Sequence, residues 1–417
     1  MQRGSVMDLD GRELDSRELD DLFPSRRLSR RDLLRRGGRA GMGALSLAVL
    51  AACGVGPTRR RPAASPSPLP PLAHELLIAQ WPLYIDEATV PAFQKETEIQ
   101  VTYKEVISDN QEFFAIISQA LSGGHDTGWD LIALSDWVVA KMNRLGWLEP
   151  LDHSLLPNVS ANLGSAFRDP PYDRGNAHSV PWQGGITGIG YNPKLTGREL
   201  TAFADLWDPA FEGHVGMLTE MVDTMNLTML MLGIDPQAAT VEDAELAQRK
   251  LLEQRDSGIV RGYYGNDYID GLSRGDLWAT MAWSGDIFWL KGEHPELEFV
   301  VPAEGGILWV TPMEIPKGAE HPRDAHLFLD FVYRPEVAAN LTEWVGYITP
   351  VPAVRDVLEE RAAAAKRKGD RDFLRTLIES PLVFPTSEIE ANLHSYKVLS
   401  EEEEQAWNDL FQDVAQA

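Results

Sequence analysis

From residue 74 the chain alternates short apolar runs with stretches whose apolar positions recur every three or four residues. Those two periods separate strands from helices. Residues 76–81 form an apolar run suited to a buried strand, 86–97 have helical spacing, and 99–106 are strand-like through Val101, Tyr103 and Val106. Asp109-Asn110-Gln111-Glu112 has the form of a capping box, in which Asp109 accepts from first-turn amides and Glu112 reaches back. The helix it opens carries Phe113, Ile116, Ile117 and Ala120 and stops at Gly123-Gly124. Residues 129–134 predict another strand, followed by Ser135 and a helix over 136–145. Three such alternations argue for an α/β lobe.

A second series follows. Residues 184–191, with four glycines, predict a strand with close backbone packing, and 215–218 another. A helix beginning near Thr219 carries Met225, Leu227, Met229, Leu230 and Leu232, most simply as core filling. Residues 278–283 are strand-like. The tail closes with helices over 326–332, over 335–345 through a first-turn proline, and behind a Ser400-Glu401-Glu402-Glu403 cap with a stripe of Trp407, Leu410, Phe411 and Val414. No internal repeat is evident.

The first seventy residues have a different character. An uncharged small-residue stretch over 41–52 is too short to cross a bilayer, which takes roughly 20 apolar residues, and fits a signal-peptide core. Ser29-Arg30-Arg31-Asp32-Leu33-Leu34-Arg35 precedes it and resembles a twin-arginine export signal, with Leu33 where Phe is usual. Leu50-Ala51-Ala52-Cys53 resembles a bacterial lipobox, whose Cys is lipidated after cleavage, and Cys53 is the sole cysteine of the chain. Residues 1–52 thus read as a lipoprotein signal and 53–73, rich in proline, as a tether. The expectation is an extracytoplasmic body held to the membrane by a lipid.

Composition narrows the function classes. The 417 residues carry 63 acids against 38 Lys plus Arg, a formal net charge of -25, which argues against a nucleic-acid binder. One cysteine excludes an internal disulfide framework and a thiolate zinc cluster. The nine histidines are scattered, and His321 and His326 lack companions at ligand spacing, so no metal is expected. Gly271-Leu272-Ser273-Arg274-Gly275 fits a nucleophile-elbow pattern, but a helical stretch precedes it and a strand follows, the reverse of what that elbow needs. The glycines over 184–190 are not in dinucleotide-binding order. No cofactor is expected.

What remains is a set of aromatics and carboxylates at expected strand ends, where open α/β sheets collect ligands. Trp81 and Tyr84 follow the first strand, Ser135 and Trp137 the third. Glu220 and Asp223 open a helix three residues apart, Trp283-Ser284-Gly285-Asp286 ends a strand, and Trp309 ends another run. Each has an ordinary structural reading: acids favour a helix N-terminus unaided, and tryptophans are often simply buried.

In this order the residues resemble the spermidine/putrescine-binding proteins of bacterial ABC transporters. The resemblance covers roughly residues 76–352 and rests on Trp81-Pro82-Leu83-Tyr84-Ile85, Trp129-Asp130-Leu131, Ser135-Asp136-Trp137 and Val180-Pro181-Trp182-Gln183-Gly184. It continues through Asp205-Leu206-Trp207, Leu218-Thr219-Glu220-Met221-Val222-Asp223-Thr224, Trp283-Ser284-Gly285-Asp286, Glu304-Gly305-Gly306 with Trp309, and Gly346-Tyr347. It implies a two-lobed, type II periplasmic-binding-protein-like clamshell hinged between lobes, with 74–184 plus 287–317 in the first lobe and 185–286 plus 318–417 in the second. It also implies a non-enzymatic protein that captures a polyamine and delivers it to a permease. Trp81, Tyr84, Trp137, Trp283 and Trp309 are then walls for methylenes, Ser135 a polar contact, and Glu220, Asp223 and Asp286 the ammonium partners. Two positions depart from the family: Val222 where Arg is frequent, and Thr311 where an Asp is common. The lost carboxylate weakens the case for a triamine and leaves open a shorter amine, another binding register or another ligand. The alternatives are the same fold with a sugar, phosphonate or metal-chelate, and a secreted hydrolase working through Glu220 with Asp286.

Overall fold

The computed structural model describes residues 70–415, so the Arg30-Arg31 motif and Cys53 lie outside the described residues. Strand β1 (Glu75–Gln80) leads through helix α1 (Thr89–Thr97) to β2 (Gln100–Glu105), which pairs with β1 in parallel. Helix α2 (Asn110–Ser122), β3 (Leu131–Ala133) and α3 (Asp136–Leu145) repeat the unit, with β3 parallel to the other side of β1. After α4 (Pro157–Asn162) comes β4 (Ser179–Tyr191), buried along its whole length. Then follow α5 (Pro193–Thr196), β5 (Val215–Leu218), α6 (Met221–Met231), α7 (Val241–Asp256), β6 (Val260–Tyr264) and α8 (Tyr268–Arg274). Next come β7 (Ala279–Trp283), α9 (Ser284–Lys291), β8 (Glu298–Val300) and β9 (Gly306–Glu314). The C-terminal part holds α10 (Pro322–Phe331), α11 (Pro335–Val345), α12 (Val354–Ala364), α13 (Lys368–Glu379), α14 (Ser387–Ala391), β10 (Leu393–His394) and α15 (Glu401–Ala415).

The strands form one ten-stranded sheet in the order β2-β1-β3-β9-β4-β7-β5-β6, with β8 beside β4 and β10 beside β9. Strands β4 and β9 run antiparallel from Ser179 opposite Glu314 to Thr187 opposite Ile307. One end of β9 pairs with β3 and the far end of β4 pairs with β7, so these two long strands belong to both halves and join them. The result is two α/β lobes connected by a pair of crossing strands.

The expected elements are present; 136–145, 215–218 and 335–345 have the expected bounds, and others have shifted ends. Helix α1 starts at Thr89 because the Asp86 carboxylate accepts from the Ala88 and Thr89 amides (2.9 and 3.1 Å), turning 86–88 into a cap. Only half of the capping box forms: Asp109 accepts from the Glu112 amide at 2.8 Å, while the Glu112 side chain meets the Ser108 hydroxyl at 3.4 Å. The strand expected over 129–134 shrinks to β3, and Asp130 instead accepts from the amides of Leu77 and His321, both at 2.8 Å. The methionine-rich helix α6 is buried on nearly every face, as core filling requires. Trp309 lies in mid-strand on β9, not at its end.

The C-terminal helices pack on both halves of the sheet. Helices α10 and α11 pack on the first lobe: Asp324 accepts from the Ala73 and His74 amides, Phe328 meets Phe93 edge-on at 5.1 Å, and Arg334 pairs with Glu96 at 2.7 Å. Helix α9 packs on β4, β7 and α8 of the second lobe, and α15 on α6 and α7. Length in sequence does not determine lobe membership here, because the chain crosses between halves more than once. His326 bridges backbone groups, donating to the Pro322 carbonyl and accepting from the Asp152 amide, and Ser273 of the elbow-like stretch donates to Ile269 within α8. Among the described residues no helix is long and apolar enough to cross a membrane.

Candidate functional site

The first lobe contributes the carboxyl ends of β1 and β3. These strands are parallel with Ala79 opposite Ile132, so Trp81 and Ser135 leave the sheet side by side. The Trp81 indole donates to the Ala133 carbonyl at 2.9 Å. A left-handed Leu83 (φ 62°), whose amide is held by Glu105 at 2.9 Å, turns Tyr84 inward. Ser135 exchanges two hydrogen bonds with Asn110, at 2.9 and 3.0 Å, which ties the starts of α2 and α3 together. Asp136 accepts from the amides of Trp137 (2.8 Å) and Val310 (3.3 Å), so it also pins α3 to β9 beside Trp309. Trp137 stays half-buried and packs against the core.

The second lobe contributes Asp223 and Asp286, each surrounded by neutral donors. Asp223 is 1% exposed and accepts from the hydroxyls of Thr187 and Tyr396, both at 2.6 Å, and from the Trp283 indole at 3.3 Å. Burial raises its pKa, and the three donors only partly offset that. Asp286, in the first turn of α9, accepts from Asn266 (2.9 Å), Tyr268 (2.8 Å) and Tyr347 (3.2 Å). Tyr347 stands edge-on to both Trp309 (5.1 Å) and Tyr84 (6.0 Å), joining the lobes through an aromatic box. Two glycines make that box. A Cβ on Gly185 would lie 2.2 Å from the Trp309 ring, and one on Gly285 would lie 1.7 Å from the Tyr347 ring.

Glu220 caps no amide and has no hydrogen-bond or ion-pair partner among the described residues. Its surface is partly exposed, yet protein surrounds much of it. Burial first, then the charges of Asp223, Asp109 and Asp136, push its carboxyl up to about 8. Burial likewise holds Asp136 well above the usual carboxylate range, with Asp223 adding to the effect against the two amides. Acids from both lobes thus meet with no Lys, Arg or His among their partners, an arrangement a cation would neutralise.

The structure brings Asp223 and Trp283 together, and Tyr84, Trp309, Asp286 and Tyr347 together; Trp81 and Ser135 lie side by side, with Trp137 two residues further on. Sequence reasoning missed Asp136, Asp109, Asn266, Tyr268, Tyr347 and Tyr396 as members of this constellation. Asp136 reads in sequence as an ordinary first-turn acid, and Tyr396 comes from the tail with no local signal. Val222 is buried within α6, and Thr311 lies opposite Gln183 on β9. An open groove of about 300 Å³ beside Trp207, Lys250 and Glu253 contains none of these residues.

Two lobes joined by crossing strands, with a cleft of aromatics and carboxylates between them, define a two-lobed solute-binding protein. Residues 88–368 match the family described as bacterial extracellular solute-binding protein, and the chain belongs to that family. It is 30% identical over 315 residues to spermidine/putrescine-binding periplasmic protein 1 of Haemophilus influenzae, covering 75% of this chain and 81% of that one. It is 28% identical over 292 residues to the spermidine/putrescine-binding periplasmic protein of Escherichia coli, covering 70% and 82%. The structure of a putative spermidine/putrescine ABC transporter from Listeria monocytogenes superposes with a TM-score of 0.70 at 27% identity, covering 82% of this chain and 99% of that one.

Proposed function

We propose that this chain is the extracytoplasmic binding component of an ABC transporter, capturing a polyamine cation between its lobes and delivering it to a membrane permease. The observation that carries this reading is the meeting of Glu220, Asp223 and Asp136 in a cleft without a basic partner, beside aromatic walls. A polyamine matches both features. Its ammonium groups need counter-charges, since burying a bare charge costs several kcal/mol, and its methylenes need flat apolar walls. Trp81, Tyr84, Trp137, Trp283 and Trp309 serve as walls, each face adding about 0.5 to 2 kcal/mol of cation-π attraction where a charge sits over it. Ser135 supplies a polar contact, and Glu220, Asp223 and Asp286 pair with ammonium groups. The names of the Haemophilus influenzae and Escherichia coli relatives support the same ligand class.

The protein carries out no covalent chemistry in this reading. Asp286, held by three neutral donors, is suited to a fixed counter-charge, and binding shifts the lobes toward closure because the ligand contacts both. Export uses Arg30-Arg31, and Cys53 carries the lipid that tethers the body to the membrane. A thermal-shift screen of spermidine, putrescine and neutral sugars tests the ligand class: stabilisation by the amines alone supports it, and stabilisation by a sugar alone rejects it. Cys53→Ala tests the anchor, since loss of membrane fractionation is expected and retention rejects it.

A further inference from the structure

We propose that residues 393–404 form a strap that fixes Asp223 from behind and clamps the two lobes, with Tyr396 and Glu404 as positioning residues that set ligand affinity. The segment is first anchored on the second lobe. Leu393 and His394 pair with Gly306 and Ile307 of β9, and Gln237 donates to the carbonyls of Ser395 (2.6 Å) and Tyr396 (2.8 Å). Lys397 donates to the Ala239 carbonyl and to Glu403. Between these anchors the buried Tyr396 hydroxyl reaches Asp223 at 2.6 Å.

Eight residues beyond Tyr396 the strap crosses to the first lobe. Glu404 takes Lys141 at 2.6 Å with one oxygen and Arg144 at 2.9 Å with the other, and Arg144 also donates to the Leu399 carbonyl at 2.6 Å. Both cations lie on α3, which Ser135 caps and whose first turn holds Asp136 and Trp137, while Glu404 rides on α15, packed on α6 and α7. Among the described residues, the ion pairs of Glu404 are the ones that join elements on opposite sides of β4 and β9. The Glu404 side chain is only 15% exposed, so this shared pairing is shielded better than an isolated surface bridge. A pair that bridges the lobes favours the arrangement in which they are close, and a ligand held by both lobes gains residence time from it.

The ligand arm of the test rests on the polyamine reading; the scattering arm does not. Small-angle scattering of the full unliganded chain is expected to show a larger radius of gyration for Glu404→Gln and for the Lys141→Glu, Arg144→Glu pair. The triple variant Glu404→Arg, Lys141→Glu, Arg144→Glu is expected to restore the wild-type radius. By stopped-flow tryptophan fluorescence, Glu404→Gln should release spermidine about five-fold faster, as dissociation rather than association absorbs most such changes. Tyr396→Phe should weaken spermidine binding without changing the radius. Unchanged radius in both charge variants, failure of the triple variant to restore it, or a lower melting temperature with unaltered release overturns the strap. If spermidine does not bind the wild-type chain, the polyamine reading fails while the scattering comparison still decides the strap.

Discussion

Glu220 makes the cleft electrostatics measurable. Its carboxyl is pushed up to about 8, against an ordinary 4.5, by burial and by the acids around it. At pH 7 the empty site therefore holds it roughly nine-tenths protonated. An ammonium requires the ionised form, so binding expels about 0.9 proton from this group, and ionising it costs about 1.4 kcal/mol at pH 7 and about 2.7 at pH 6. Because the liganded state binds fewer protons, affinity rises with pH: about nine-fold from pH 6 to 7, about five-fold from pH 7 to 8, then little more until the amine itself deprotonates near 10. Burial raises Asp136 and Asp223 in the same direction. The unliganded fold shows the opposite trend. A carboxyl whose folded pKa exceeds its unfolded value removes stability as pH rises from 4.5 to about 8. Calorimetric titration with spermidine in two buffers of different ionisation enthalpy counts the released protons. Glu220→Gln should remove about one proton at pH 7, bind more weakly than the parent at pH 8.5, and converge with it near pH 6. An identical proton count in parent and variant would exclude Glu220 as the source of the released proton.

Three other substitutions probe the remaining parts. Gly285→Ala drives the Tyr347 ring away, breaking its bond to Asp286 and its contact with Trp309; overpacking of about 1–3 kcal/mol should lower the melting temperature, and spermidine affinity should fall more than tenfold. Normal binding would remove Tyr347 from the site. Asp286→Asn keeps the shape but leaves one acceptor oxygen where three donors converge, so at least tenfold weaker binding, about 1.4 kcal/mol, is expected by calorimetry; unchanged affinity contradicts the assignment. His321 titrates above its ordinary 6.5: burial pulls it down, but the hydrogen bond and charge of Asp130, with Asp324 and Glu320, outweigh that. Its stabilisation is fully present below 6.5 and disappears as pH rises through the folded value, so Asp130→Asn should flatten the fall in melting temperature above pH 6.5. A fall of the same size in the variant would rule out the pair as its source.

The alternation of strands and helices over residues 76–145 was legible because each strand is a short apolar run and each helix has one apolar face. Ends moved where a carboxylate bonded backbone amides: Asp86 caps α1 through local bonds to Ala88 and Thr89, while Asp130 reaches the distant amides of Leu77 and His321. Trp81, Ser135, Trp283 and Asp286 were readable as site candidates because strand ends face a cleft in this class of sheet. Trp309 was misplaced because β9, buried along most of its length, gives no alternating pattern to mark where it starts. Asp136 was passed over because a first-turn acid has a sufficient local reason to exist, and only the packing of α3 against β9 reveals its neighbours. Tyr396 and Glu404 act on residues more than 170 and 250 positions away, at separations to which no local period extends.

In the proposed reading a cation closes this cleft by neutralising its acids. Titration calorimetry of the full chain at pH 8 with spermidine, putrescine and glucose tests it most directly. Saturable one-to-one binding of at least one amine is expected, with proton release that Glu220→Gln diminishes, and no heat with glucose. Saturable binding of glucose with none for either amine would contradict it.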